Sequence, residues 1–173
     1  MLELFIANKN YSSWSLRPWI LMRELEIPFI ERLVPFGDKM EPNPFRNFSP
    51  SGKVPCLIDG EATAVWDSLA ITEYLAERTP QVWPADASIR AWARSAVGEM
   101  HSGFQALRDR CTMNCGLRVR IDSYSPALEK DLARLDELWN QSLARFGEPL
   151  SCWAVIHRCG RIFRACCIPC TDL

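Results

Sequence analysis

The chain has 173 residues, 48% of them hydrophobic and 24% charged, with a formal net charge of −1. That length buries one full core, or one small domain plus part of a second. The near-neutral balance without a basic run excludes a nucleic-acid footprint. No apolar stretch approaches the roughly 18 residues of a membrane span. The opening apolar run covers only about six residues and has no basic flank, so no signal peptide is expected and a cytoplasmic location is.

Leu2 to Ala7 reads as a first strand. The run Y-S-S-W-S-L-R-P-W (11–19) follows, leading into a helical stripe of Leu16, Trp19, Ile20 and Ile27. Pro18 suits only a first helical turn, so either the helix proper starts near Arg17 or the serine run forms an irregular first turn. Phe29 to Val34 reads as a second strand. The Pro- and Asn-rich segment 37–51 is a loop with a short helix near Pro44–Phe48. Val54 to Ile58 is a third strand. Asp59-Gly60 marks a hairpin turn in which both residues tolerate positive φ. Ala62 to Trp66 returns as a fourth strand, and Asp67-Ser68 caps a helix through Arg78 with Leu69, Ile71, Tyr74 and Leu75 on its apolar face. The order β-α-β, hairpin, α is that of a thioredoxin-like half-domain.

Thr79 to Asp86, with two prolines, reads as a linker, and the chain then turns all-helical. Ile89, Trp92, Ala93, Ala96, Val97, Met100, Phe104, Leu107 and Cys111 keep helical spacing, which predicts one long helix. Ser125 caps a second with Pro126 at its first position. Leu128, Leu132, Leu135, Leu138, Trp139, Leu143 and Phe146 form its stripe, and Gly147 stops it.

Two segments carry chemistry besides the serine run. In S-G-K-V-P-C-L-I-D-G (51–60), a proline opening a strand either marks an edge or, if cis, turns the Val54 backbone toward a peptide-like ligand. In W-D-S-L-A-I-T-E-Y-L (66–75), Ser68 at a helix start offers N–H donors and a positive dipole end to a carboxylate. Serines 12, 13 and 15 are readable as helix caps or as donors to a ligand. His101 reads as structural, and His157 has no supporting pattern.

Together these segments resemble a soluble glutathione transferase of the serine type, near the zeta-like and related bacterial classes, over about residues 1–147. The resemblance implies a thioredoxin-like glutathione-binding domain over 1–79 and a partial all-helical domain over 86–147. It implies that Ser12, or Ser13 in its place, donates a hydrogen bond to the glutathione sulfur. The Val54 backbone, next to Pro55, would pair with the cysteinyl unit, Asp67 and Ser68 would hold the γ-glutamyl group, and Lys53 is expected among the glutathione-binding residues. The family has Glu where this chain has Asp67, one methylene shorter. Trp14 stands where the zeta pattern has Cys, which weighs against isomerase chemistry. The second-substrate wall is expected from Trp14, Met100, His101, Phe104 and Arg108, and the partner is expected to be a second copy in a homodimer. A free thiol with a pKa near 8.5 is only a few per cent ionised at neutral pH; lowering it by about two units corresponds to roughly 2.7 kcal/mol and makes the thiolate dominant. The reaction implied is addition of glutathione, the co-substrate, to a small electrophile. The alternatives are a non-catalytic glutathione-binding protein and a zeta-like isomerase or peroxidase.

Eight cysteines are unevenly placed, five of them between Cys152 and Cys170. The C-x-x-C pair Cys167 and Cys170 and the pair Cys111 and Cys115 lack the partners of a zinc or redox site, so no metal is expected. Residues 148–173 lose periodicity and crowd Cys, Arg and Trp together. This tail is read as the product of a reading-frame shift near Gly147 that truncates the helical domain.

Overall fold

The computed structural model describes residues 1–37, 43–61, 63–117, 119 and 121–146. They fall into two compact units, Met1–Trp83 and a second from Pro84 onward. The expectations for Gly147, His157, the pair Cys167 and Cys170, and the tail from 148 lie outside the described residues.

The first unit runs β1 (Leu2–Ile6), α1 (Ser13–Glu24), β2 (Phe29–Leu33), β3 (Cys56–Asp59), β4 (Thr63–Trp66) and α2 (Ser68–Ala76). The sheet order is β2-β1-β3-β4. β1 pairs parallel with β2 and antiparallel with β3, and β3 pairs antiparallel with β4. This is the thioredoxin-like arrangement expected from the element order. Leu4 and Ile6 on β1, Leu57 on β3 and Ile71 of α2 are fully buried, and Leu75 of α2 and Leu16 and Ile20 of α1 nearly so. Each such burial contributes about 1.5–3 kcal/mol. α2 is tied to the hairpin by Asp59, which accepts from Tyr74 Oη at 2.7 Å and from Arg78.

Three local expectations are corrected. α1 is continuous from Ser13 and carries the buried Pro18 in its interior, although proline has no N–H to give Trp14. Of Asp59 and Gly60 only Gly60 has positive φ (65°), and Asp59 is not a turn residue but pairs in the ladder with Thr63. The linker is not open chain: Pro80–Val82 forms a 3₁₀ turn, with Val82 and Trp83 buried in the first unit.

The second unit contains α3 (Ala87–Ser102), α4 (Gln105–Arg110) and α5 (Pro126–Phe146). The single long helix expected across 89–111 is broken at Gly103-Phe104. At Gly103 a Cβ would sit 2.8 Å from the Glu99 carbonyl oxygen, so only glycine allows that approach. Phe104 takes the left-handed conformation (φ 62°, ψ 43°), costly for a bulky residue. Packing holds it there: its ring is buried with Leu107, Cys111, Leu128 and Leu135. Arg108 donates from Nε to the Gly103 carbonyl at 2.9 Å and from Nη2 to the Met100 carbonyl, satisfying the end of α3. Asp131 on α5 accepts from the Leu107 amide at 3.0 Å and caps α4 from a distance. α5 begins as expected, with Ser125 Oγ accepting from the Leu128 amide at 3.2 Å. Arg134 clamps Glu99 through two bonds of 2.6 and 2.9 Å. Leu128, Leu135 and Leu138 are buried, but Leu143 is 47% exposed, so the apolar stripe extends beyond the core it covers.

Candidate functional site

The sheet register gathers the three motif segments at one end. Phe5 faces Cys56 across β1 and β3, and Cys56 faces Trp66 across β3 and β4. The carboxyl end of β1, the amino end of β3 and the carboxyl end of β4 therefore lie side by side. Neighbouring strands are about 4.8 Å apart. The serine loop leaves β1 here, Val54-Pro55 enters β3 here, and Asp67-Ser68 follows β4 here.

In the serine loop, Ser12 occupies the N-cap position of α1, yet its side chain makes no capping bond. This corrects the cap reading for Ser12. Its hydroxyl donates instead to Ser15 Oγ at 2.9 Å, and Ser15 Oγ also accepts from the Ala7 amide at 3.1 Å. Ser15 is fully buried and Ser12 nearly so. Ser13 is half-buried as the first residue of α1, and its hydroxyl makes no hydrogen bond among the described residues. The loop is braced from both sides by Glu31 on β2, which accepts from Lys9 Nζ and from Trp19 Nε1, each at 2.6 Å. Burial raises the Glu31 pKa, but the bonds from Lys9 and Trp19 and the nearby Arg23 charge outweigh it, holding the carboxylate below its ordinary value. This brace draws on three elements and has no pattern in the sequence.

The Val54–Pro55 bond is cis. Gly52 before it has φ 65°, and a Cβ there would lie 2.8 Å from Arg46 Nε, so the turn admits little but glycine. Lys53 is exposed, Val54 half-buried and Pro55 buried. Cys56, next along, donates its S–H to the Phe48 carbonyl at 3.4 Å, and burial pushes its thiol pKa up. It is a neutral packing thiol rather than a nucleophile.

Asp67 adopts φ 78°, ψ 137°, a conformation rare outside glycine. Its Oδ1 accepts from the Leu69 amide at 2.8 Å and the Ala70 amide at 3.3 Å. The cap thus uses two of the first-turn donors of α2, which leaves the Ser68 amide as the donor without an acceptor among the described residues. Ser68 itself is 3% exposed. A short carboxylate, a hydroxyl and a helix amino end meet at this corner, which suits a zwitterionic amino-acid head group.

The expected second-substrate residues fall in both units. In the first, Trp14 lies under the Arg17 guanidinium, 4.2 Å from the ring centroid. In the second, Phe104 is core, Met100 packs against it, and Arg108 closes the end of α3. Burial lowers the Arg108 pKa. His101 is half-buried in the last turn of α3. Among the described residues no group of three or more His, Cys, Asp or Glu is placed to hold a metal ion, and no helix is long and apolar enough to cross a membrane.

Residues 11–78 match the family model for the glutathione S-transferase N-terminal domain. The chain is 28% identical over 152 residues to a zeta-class glutathione S-transferase of Euphorbia esula, covering 84% of this chain and 67% of that one. It is 44% identical over 59 residues to dichloromethane dehalogenase of Methylorubrum extorquens, covering 33% of this chain but only 20% of that relative. In fold it is similar to a glutathione S-transferase from Methylobacillus flagellatus solved with glutathione bound, with a TM-score of 0.62, 24% identity, and coverage of 95% of this chain and 83% of that one. Sequence match, relatives and fold agree on one point: residues 11–78 carry a glutathione S-transferase N-terminal domain, in a chain whose fold is similar to that of glutathione S-transferases.

Proposed function

We propose that this protein binds glutathione at the shared end of β1, β3 and β4 and stabilises its thiolate for addition to a small electrophile. The observation that supports this reading best is the register that brings the serine loop, the cis Val54–Pro55 bond and the Asp67-Ser68 corner to adjacent strand ends. In this reading Ser12 or Ser13 donates to the sulfur. The Val54 backbone, beside Pro55 and Lys53, pairs with the cysteinyl unit. Asp67 and Ser68 take the γ-glutamyl head group. A thiol lowered by about two pKa units is mostly thiolate at neutral pH, and orientation beside the electrophile supplies the rest of the rate. The same reading expects a homodimer, which light scattering checks.

The test is turnover of glutathione with a generic aryl halide, combined with calorimetric binding. The account expects saturable turnover that falls in Ser12→Ala or Ser13→Ala while glutathione still binds. Binding without turnover in the parent chain favours a non-catalytic binding module. Absence of binding removes both readings.

A further inference from the structure

We propose that Ser15 is a positioning residue that sets the donor strength of Ser12, through a hydroxyl chain anchored on the Ala7 amide. The inference rests on the glutathione reading of the serine loop given above. Ser15 Oγ accepts twice, from the Ala7 N–H at 3.1 Å and from the Ser12 O–H at 2.9 Å. The Ser12 proton is therefore committed inward and cannot at the same time point at a sulfur. Ser15 is fully shielded from solvent, so no water competes for this bond.

A thiolate beside Ser12 changes the balance. The Ser15 O–H turns to donate to Ser12 Oγ, and the Ser12 O–H turns outward to the sulfur. Each oxygen keeps its own proton and nothing ionises. The chain then runs Ala7 N–H to Ser15 to Ser12 to sulfur, with every donor also an acceptor except the first. Hydrogen bonds aligned head to tail strengthen one another in a low-dielectric setting. Ser13, which lacks this support, has a hydroxyl with no partner among the described residues. The structure thereby favours Ser12 over Ser13 as the sulfur's donor.

α1 packs against β1 and α2. The charged and titratable groups on these elements and in the loop have other engagements or take no part in the chain. Glu3 pairs with Arg32, and Lys9 and Arg23 with Glu31. Tyr74 donates to Asp59, and Arg17 lies over Trp14. Glu24 on α1 and Glu73 on α2 each have a partner of their own. A change in thiol titration on altering Ser15 therefore reports the hydroxyl chain.

The experiment is titration of the glutathione thiol bound to the full chain, read by thiolate ultraviolet absorbance against pH. Wild type, Ser12→Ala, Ser13→Ala, Ser15→Ala and the Ser12→Ala/Ser15→Ala double variant are compared. Expected are a rise of about one pKa unit, a roughly tenfold loss of thiolate at fixed pH, in Ser15→Ala, and no further rise when Ser15→Ala is added to Ser12→Ala. Ser15→Cys, which keeps the volume and a weak donor, is expected to fall between wild type and Ser15→Ala, and it carries the test if Ser15→Ala does not fold. A thiol pKa unchanged by Ser15→Ala or Ser15→Cys, but raised by Ser12→Ala, overturns the proposal and leaves the functional reading standing. A rise in Ser13→Ala with none in Ser12→Ala also overturns it. If none of the serine variants moves the thiol pKa, or glutathione does not bind, it is the thiolate reading itself that falls.

Discussion

Replacing Asp67 separates its two jobs, because one substitution removes the cap and another also removes the backbone strain. Asp67 sits at φ 78°, ψ 137° and accepts from two first-turn amides at 2.8 and 3.3 Å. Asp67→Ala deletes the cap, a loss of about 0.5–2 kcal/mol, and keeps a Cβ in a conformation that costs of the order of 1–3 kcal/mol. Asp67→Gly loses the same bonds, but glycine at an N-cap costs only a few tenths of a kcal/mol, and it releases the strain. Greater freedom of the unfolded glycine chain returns roughly 0.4–1 kcal/mol of that gain. The expected order of stability in urea unfolding is Asp67→Gly at or above wild type, by up to about 2 kcal/mol, with Asp67→Ala below wild type by about 0.5–2 kcal/mol. Both variants are expected to bind glutathione more weakly, because the carboxylate is gone in each. An Asp67→Gly chain less stable than Asp67→Ala would refute the strain argument.

Gly103→Ala places a Cβ 2.8 Å from a backbone oxygen that cannot move aside alone, and is expected to destabilise the helical unit by about 1–3 kcal/mol in denaturant titration. The hydrogen bonds from Arg134 hold Glu99 below its ordinary pKa of 4.5 against the raising effect of burial. A depressed folded-state pKa means stability that is present above the unfolded value and lost as pH falls through the folded one. Unfolding measured downward from about pH 5 is therefore expected to show a loss of stability that Glu99→Gln flattens; an unchanged slope would count against the pair. Glu31→Ala frees both Lys9 and Trp19 and is expected to weaken glutathione binding by calorimetry more than it slows turnover at saturation.

Much of the fold was legible because local chemistry and global arrangement agree. Asp67 and Ser125 cap where the apolar periodicity begins, Gly60 turns the hairpin, and the short apolar runs become strands β1 to β4. The break at Gly103-Phe104 was hidden because apolar spacing continues through it; Met100, Phe104, Leu107 and Cys111 remain on one core although the backbone reverses its hand at Phe104. Pro18 misled in the other direction, since burial tolerates a proline that propensity would exclude. At the site, the residues Ser12, Val54-Pro55 and Asp67-Ser68 could be picked out one by one, but that they share one sheet end follows only from the pairing of β1, β3 and β4. The inward bond of Ser12 and the Glu31 brace join residues 3 to 22 positions apart in three dimensions, and no periodicity announces them.

The central claim is that three strand ends together form a glutathione groove with separate subsites for the cysteinyl and γ-glutamyl units. Calorimetric titration of the full chain with glutathione, and then with cysteinylglycine lacking the γ-glutamyl group, addresses it most directly. The account predicts saturable binding of glutathione and a loss of most of that affinity for the dipeptide, with Ser12→Ala leaving the contrast intact. No heat with glutathione, or equal affinity for both peptides, would contradict it.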